Sequence, residues 1–220
     1  MNKKIDQRID RFIELGAENL RKYPRAYEPL AFTLGNCYLR KRDFLRANSY
    51  YKISIEANLR NPQSWRSAGW PNWLVDVLIL SKRNDLAKRA SKELDLLKKD
   101  PKNGRSPLAY YAYGIMAMLE EEGKSQIWIQ KLIENSSAAL QYSSGRALQA
   151  IIGGNKSAFR DQLCEILRIH DGQAKHGGLR ETAEGLICMP AMSIIFLGVQ
   201  KEMIVEIQSE YIAPDYFEIS

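Results

Sequence analysis

The chain has 220 residues, of which 45% are hydrophobic and 26% are charged, and its formal net charge is +6. This length and composition are typical of a soluble globular protein with one domain or two small ones, and they exclude a disordered chain. The charged residues 1–8 are not followed by an apolar stretch, so we expect no secretory signal and a cytoplasmic protein. Three widely separated cysteines, Cys37, Cys164 and Cys188, favour reduced, buried thiols over a disulfide framework.

The charge is distributed unevenly along the chain. Residues 202–220 contain five acidic residues and no Lys or Arg, so the remaining 201 residues carry a net charge of +11. A basic body can bind nucleic acid. Here, however, the cations are scattered along helical patterns, and the dense cluster is limited to Arg40, Lys41, Arg42 and Arg46. We interpret this basic cluster as a solvated helix face, and we do not expect a nucleic-acid partner.

Residues 3–22 carry an apolar or small residue at every third or fourth position. These residues are Ile5, Ile9, Phe12, Gly16 and Leu20. The spacing predicts an amphipathic helix. It ends at Tyr23 and Pro24, because a residue before proline is disfavoured in helical conformation.

Residues 28–59 resemble one tetratricopeptide unit, a helical hairpin with small side chains where its two helices touch. The matching residues are Leu34, Gly35, Tyr38, Ala47, Tyr51 and Ser54. The stretch departs from the pattern at Ala31, the first aromatic position, and its closing proline comes late, at Pro62. An array needs about three units, so this single match predicts an antiparallel helix pair whose second helix begins at Asp43.

Three of the four tryptophans lie within residues 61–73. Such a cluster can be an interface hot spot. It can also wedge a loop between helices, because tryptophan is largely buried on average. We favour the packing interpretation.

Further helices are predicted over residues 74–81, 86–97, 108–121, 124–134, 136–152 and 156–171. The strongest break lies at residues 100–107, where Ser106 suits an N-cap and Pro107 suits the first helical position. We therefore predict a single all-helical domain over residues 1–220, with a possible division near 100–107.

The most apolar run is at residues 185–199, which contain no charge and follow a polar, glycine-rich loop. Fifteen residues are too few for a bilayer, which takes about 20. The run predicts a buried core helix kinked by Pro190, and Pro190 can alternatively separate two helices. Residues 203–207 could be extended but have no partner strand. The predicted fold is therefore all-α, with about nine or ten helices in stacked antiparallel hairpins forming a TPR-like, solenoid-like bundle.

The sequence contains no recognisable catalytic or metal motif. His170 and His176 lie near Cys164 and Cys188, but their spacing is not that of common zinc sites. We expect a structural histidine at a helix end, and one role open to His170 is to cap the C-terminal end of its helix, where a cation is favourable. Phosphate-binding loops, dinucleotide-binding glycine motifs and a nucleophile elbow are absent from the sequence. We predict no enzymatic activity, no metal and no cofactor.

The acidic C-terminal region is the candidate partner-binding segment. Its acids are interleaved with aromatic and apolar side chains, a pattern that can dock a basic partner surface. The candidate residues are Glu206, Glu210, Asp215, Tyr216 and Glu218. The alternative is a terminal segment that folds back on the helices and leaves its acids in water.

Residues 170–215 also carry a family resemblance. The segments concerned are His170, residues 175–177, residues 184–191, the small and apolar stretch to Gly198, and residues 210–214. This region resembles the C-terminal part of the immunity protein forty-nine family of bacterial polymorphic-toxin systems.

The resemblance implies an all-helical cytoplasmic antitoxin that binds a cognate toxin domain, often a nuclease or deaminase, and occludes its active site. It implies no catalytic residues, small-molecule substrate or membrane partner. Immunity proteins against basic nucleases are commonly acidic, whereas this chain is basic. Either the toxin is not strongly basic or the acidic C-terminal region makes the contact. From a different functional class, the hairpin at 28–59 suggests a TPR-like scaffold or a peptide-binding regulator.

Overall fold

The computed structural model describes residues 3–22, 27–63, 71–120 and 123–217. Within these ranges the protein has ten α-helices and no strand, which confirms the all-α prediction. The helices are α1 (Lys3–Lys22), α2 (Tyr27–Arg40), α3 (Phe44–Arg60), α4 (Pro71–Leu80), α5 (Ala87–Leu97), α6 (Pro107–Leu119), α7 (Ser125–Asn135), α8 (Ala139–Ile152), α9 (Lys156–His176) and α10 (Met189–Gln200). Short 3-10 turns lie at Asn84–Leu86, Glu184–Leu186 and Pro214–Phe217. None of the helices in the described ranges combines the length and apolarity that a membrane span requires.

Side-chain caps begin two of the helices where the sequence predicted them. The Asp43 carboxylate accepts a hydrogen bond from the Arg46 backbone N–H (3.2 Å) and begins α3. The Ser106 hydroxyl accepts one from the Ala109 N–H (3.2 Å), with Pro107 in the first turn of α6. Each cap satisfies an N–H that the helix itself leaves unpaired.

Successive helices pack mainly against their neighbours in sequence, most extensively in the pairs α2 with α3, α6 with α7, and α8 with α9. Short connections make such pairs antiparallel hairpins. Helix α10 breaks this order, because it contacts α4 and α8 in addition to α9. The succession of hairpins therefore closes on a central C-terminal helix and does not continue as an open solenoid.

The prediction that Pro190 kinks a core helix is wrong. Helix α10 begins at Met189, and Pro190 lies in its first turn. Proline is tolerated there because its missing N–H would have no partner in the helix. The residues before α10 form the Glu184–Leu186 turn and an extended Ile187. The apolar run is therefore a short 3-10 turn followed by a helix that begins at Met189. Residues 203–207, for which an extended stretch was considered, form neither helix nor strand, and the same holds for residues 208 and 209.

Glycines allow close contact between the helices of two pairs, α2 with α3 and α9 with α10. A Cβ atom at Gly35 would lie 2.6 Å from Cε1 of Tyr51, across the pair α2 and α3. A Cβ atom at Gly198 would lie 2.6 Å from Cζ of Phe159, across α10 and α9. Both aromatic rings are fully buried. Gly35 thus lies where α2 and α3 touch, as the tetratricopeptide-like pattern predicted for a small residue.

A buried carboxyl group connects three helices. Asp76 in α4 is 2% exposed. It accepts hydrogen bonds from the Tyr111 hydroxyl in α6 (3.0 Å) and the Ser193 hydroxyl in α10 (2.6 Å). Burial raises the pKa of Asp76 to about 7, although both hydrogen bonds act in the opposite direction. The protonated carboxyl is thus the favoured form up to near-neutral pH.

One hydrophobic cluster extends through the bundle, from Ile9 in α1 to Tyr216 near the C-terminus. It includes residues on both sides of the 100–107 break, such as Leu97 and Ala109. From the tryptophan cluster, Trp73 packs on Phe32 with ring centroids 4.5 Å apart, in line with a packing role. Trp65 and Trp70 lie outside the described residues.

We expect Gly35→Ala to lower the free energy of unfolding by about 1–3 kcal/mol, because the new methyl group would clash with the buried Tyr51 ring. Gly172→Ala, in α9, is the matched control. Its Cβ would have no neighbour within 4 Å, so it should stabilise the protein by about 0.5–1 kcal/mol through helix propensity. Urea unfolding followed by circular dichroism measures both, and equal effects would contradict the close-contact interpretation.

Candidate partner-binding cleft

A charged cleft of about 490 Å³ lies where α1, the C-terminal ends of α2 and α9, the loop after α9 and the C-terminal segment meet. Its charged and aromatic lining residues are Arg8, Arg40, Lys175, Arg180, Glu181, Glu210 and Tyr211. Four cations and two carboxylates give these residues a formal charge of +2. We call this site the cationic cleft.

A buried hydrogen-bond chain holds one wall of the cationic cleft against α2. The Tyr51 hydroxyl donates to Asn36 Oδ1 (2.7 Å), and Asn36 Nδ2 donates to the Ala183 carbonyl (3.4 Å) in the loop after α9. Asn36 and Arg40 are one helical turn apart, so the α2 face that holds this loop also places Arg40 in the cleft.

Arg40 is held from two sides. Its guanidinium forms an ion pair with the Glu210 carboxylate and lies 5.8 Å from the centroid of the Tyr211 ring. The Arg40 side chain is 14% exposed, whereas that of Glu210 is 45% exposed. A largely buried cation is thus fixed beneath a carboxylate that reaches solvent.

The C-terminal segment is fixed to the end of α9 through Tyr211. Its hydroxyl donates to Asp171 (2.9 Å), which also pairs with Lys175 (2.7 Å). The hydrogen bond from Lys175 holds the pKa of Asp171 below its usual value. The Tyr211 carbonyl accepts a hydrogen bond from the Cys188 N–H (2.9 Å), just before α10. These contacts position the lining residues before any partner binds.

His170 is a buried structural residue and does not cap its helix as a cation. Helix α9 continues to His176, and His170 lies inside it, 5% exposed, with its ring edge-on to Tyr211 at 4.9 Å. Burial lowers the pKa of His170 to about 4, against the effect of a hydrogen bond with the Gly185 backbone. The imidazole is therefore neutral at neutral pH. The ion pair of Asp171 with Lys175, at (i, i+4), supports the extra helical turn.

The structure brings two of the candidate C-terminal acids onto the protein's own basic cluster. Glu210 pairs with Arg40, and Asp215 pairs with Arg42 in the turn after α2. The Arg42 and Asp215 side chains are both about half exposed. The basic cluster and the acidic segment are far apart in the sequence, but in the fold they form one surface.

The other candidate residues have different environments. Tyr216 is 0% exposed, and its hydroxyl donates to the Leu80 carbonyl, so its side chain anchors the segment and is not presented to a partner. Glu206 is exposed and lines a separate open cavity with Lys156 and Arg160. Glu218 lies outside the described residues.

The three cysteines do not share one environment. Cys37 and Cys188 are buried, and burial raises the pKa of each thiol to about 12. Cys164 is exposed on α9, which corrects the expectation of three buried thiols. Among the described residues there is no group of three or more His, Cys, Asp and Glu side chains that could hold a metal ion.

Several residues that build the cleft were not among the predicted site residues. Arg8 in α1 donates a hydrogen bond to the Arg180 carbonyl, 172 residues further along the chain. Asn36 reaches Ala183 across 147 residues. No local spacing relates these positions, so only the folded arrangement of α1, α2 and the loop after α9 shows that they belong together.

The chain matches no protein-family model, no curated protein and no solved structure. The functional interpretation therefore depends on the geometry of the cationic cleft and on the resemblance described above.

The shifted pKa values of Asp76 and His170 predict compensating pH effects on stability. The Asp76 contribution is fully present below its ordinary pKa of 3.8 and is lost as the pH rises to about 7. The His170 contribution is present above pH 6.5 and is lost as the pH falls to about 4. Between these limits the folded and unfolded chains hold the same number of protons on this pair, so the two effects cancel.

We expect Asp76→Asn to uncover the His170 effect, since asparagine can still accept from Tyr111 and Ser193. Its stability should fall towards acid between about pH 6.5 and 4, by up to about 1.4 kcal/mol per pH unit. His170→Gln should show the opposite slope. Urea unfolding at several pH values measures both slopes, and parallel profiles for the two variants and the wild type would refute the assignment.

We expect one thiol per native chain, that of Cys164, to react rapidly with Ellman's reagent, and all three to react after unfolding. The buried Cys37 and Cys188 should stay unreactive because the reagent cannot reach them and burial disfavours their thiolates. Absorbance at 412 nm follows the reaction. Cys164→Ser should abolish the rapid phase, and its persistence in that variant would contradict the burial of the other two.

Proposed function

We propose that this protein is a cytoplasmic immunity protein that binds a cognate polymorphic-toxin domain and blocks its active site by occlusion, without catalysing a reaction. The observation that carries the proposal is the convergence of the resembling segments on one site. Lys175, Gly185 and Tyr211 come from three separate parts of residues 170–215, and all of them line the cationic cleft. Residues that carry a family resemblance and share a surface cleft are candidates for binding a common class of partner.

The construction of the cleft supports a binding role. Its walls are held by the contacts of Asn36 with Ala183 and of Tyr211 with Asp171, so few side chains need to be ordered on association. A preformed surface loses less conformational entropy on binding than a flexible one. The charged side chains around it would orient a partner as it approaches.

The internal ion pairs also bear on the electrostatics of the toxin. Glu210 and Asp215 are already paired with Arg40 and Arg42, which leaves the cationic cleft with excess positive charge. Of the two possibilities raised by the basic composition, this arrangement favours a toxin whose contact surface is not strongly basic.

A TPR-like scaffold or peptide-binding regulator is the second candidate function. The packing of Gly35 on Tyr51 in the pair α2 and α3 is the observation that favours it. Peptide-binding repeat arrays use an extended concave groove. Here α10 packs between α4 and α8, where such an array would continue, so we place this function second.

Co-expression in bacteria tests the immunity proposal. The toxin domain encoded beside this gene should stop growth when it is expressed alone, and co-expression of this protein should restore growth. Growth stopped by an unrelated toxin domain should not be restored. With purified proteins, toxin activity should fall linearly with added protein and reach zero near a 1:1 ratio, because occlusion is stoichiometric and catalysis is not. The proposal would be overturned if this protein neither restored growth nor formed a complex with the toxin domain on gel filtration.

A further inference from the structure

The ion pair of Arg40 with Glu210 shows which chemical group fits the cationic cleft. Arg40 is largely buried and fixed by Tyr211, so its position does not depend on Glu210 alone. Glu210 is nearly half exposed and follows residues 203–209, which form neither helix nor strand. The cleft thus already binds one carboxylate, and the side chain that supplies it reaches solvent.

The cleft has further cations besides Arg40. Arg8, Lys175 and Arg180 line the same cleft. The Arg180 side chain is exposed and forms no ion pair with any residue in the described part of the chain. The cleft therefore binds one carboxylate already and has a cation free to bind another.

The arrangement fits a protein segment better than a nucleic acid. A nucleic-acid backbone presents closely spaced negative charges, whereas the cations here are interrupted by Glu181 and Glu210. Single strands also require exposed aromatic rings for base stacking. Tyr211, the aromatic residue in the lining, is 8% exposed and its hydroxyl is bonded to Asp171.

We propose that the cationic cleft docks an acidic segment of the partner protein, and that Glu210 is an internal placeholder for it. A partner carboxylate replaces Glu210 on Arg40, and a second one binds Arg180. This inference rests on the proposed function in taking the toxin domain as the partner. The sequence suggested that Glu210 contacts a basic partner directly. In this inference Glu210 instead occupies Arg40 until an acidic partner segment replaces it.

A fluorescein-labelled hexaglutamate peptide, followed by fluorescence anisotropy at about 50 mM salt, tests the docking chemistry without any toxin. Glu210→Gln removes the internal competitor and should tighten binding of this peptide about threefold to fivefold, the scale of one exposed ion pair. Glu165→Gln is the matched control, since it makes the same charge change and frees Arg168 elsewhere on α9. Its affinity should stay within about twofold of the wild type.

Charge reversal provides the second comparison. Arg180→Glu should weaken peptide binding about fivefold or more, whereas Arg146→Glu on the exposed face of α8 should change it less than about twofold. Both positions are exposed, so neither variant should unfold. Equal effects of Glu210→Gln and Glu165→Gln, or weaker binding by Glu210→Gln, would overturn the inference. So would tighter, Arg180-dependent binding of a single-stranded oligonucleotide.

Peptide binding tests the docking chemistry, and growth rescue tests the proposed function, so the two can fail independently. If growth is rescued but the Glu210→Gln and Arg180→Glu variants bind the peptide as their controls do, the immunity function stands and the docking of an acidic segment is rejected. If the peptide results are as expected but growth is not rescued, the cleft binds acidic segments and the toxin domain is rejected as its partner.

Discussion

The burial of α10 is the constraint on which the rest of the structure depends. Residues 189–200 contain no charged side chain, so most of the helix surface has to be covered, and its exposed residues, Val199 and Gln200, lie in the last turn. The bundle achieves this by placing it against α4, α8 and α9. The hydroxyl of Ser193, a polar group that this burial removes from water, donates to the carboxyl of Asp76, which Tyr111 also contacts. A buried polar group needs such partners.

The central position of α10 creates the cationic cleft. The chain enters the helix through the loop after α9 and leaves it through residues 203–217, and both connections come to lie beside α2. Arg40 therefore meets Glu210, and the basic cluster is partly neutralised within the molecule. Arg40 is largely buried and needs a partner, whereas Glu210 reaches solvent, so a partner carboxylate in place of Glu210 would keep this cation paired.

Two buried titratable groups have opposite effects on how the stability of the bundle changes with pH. Asp76 is favoured in its neutral, protonated form and His170 in its neutral, deprotonated form, because burial disfavours the charged form of either group. His170 lies under Tyr211, next to the cleft, whereas Asp76 lies among α4, α6 and α10. The core thus holds two ionisable residues without retaining a buried charge at mildly acidic pH.

The sequence by itself determined the all-helical class, the caps at Asp43 and Ser106 and the burial of the uncharged run, because spacing and capping act within a few residues. It left the role of Pro190 open, since proline fits a helix start and a kink alike. Only the tertiary structure decided that Arg40 pairs with Glu210, 170 residues away, and that Tyr216 is buried. Such contacts depend on how several helices pack together, which no local backbone preference specifies.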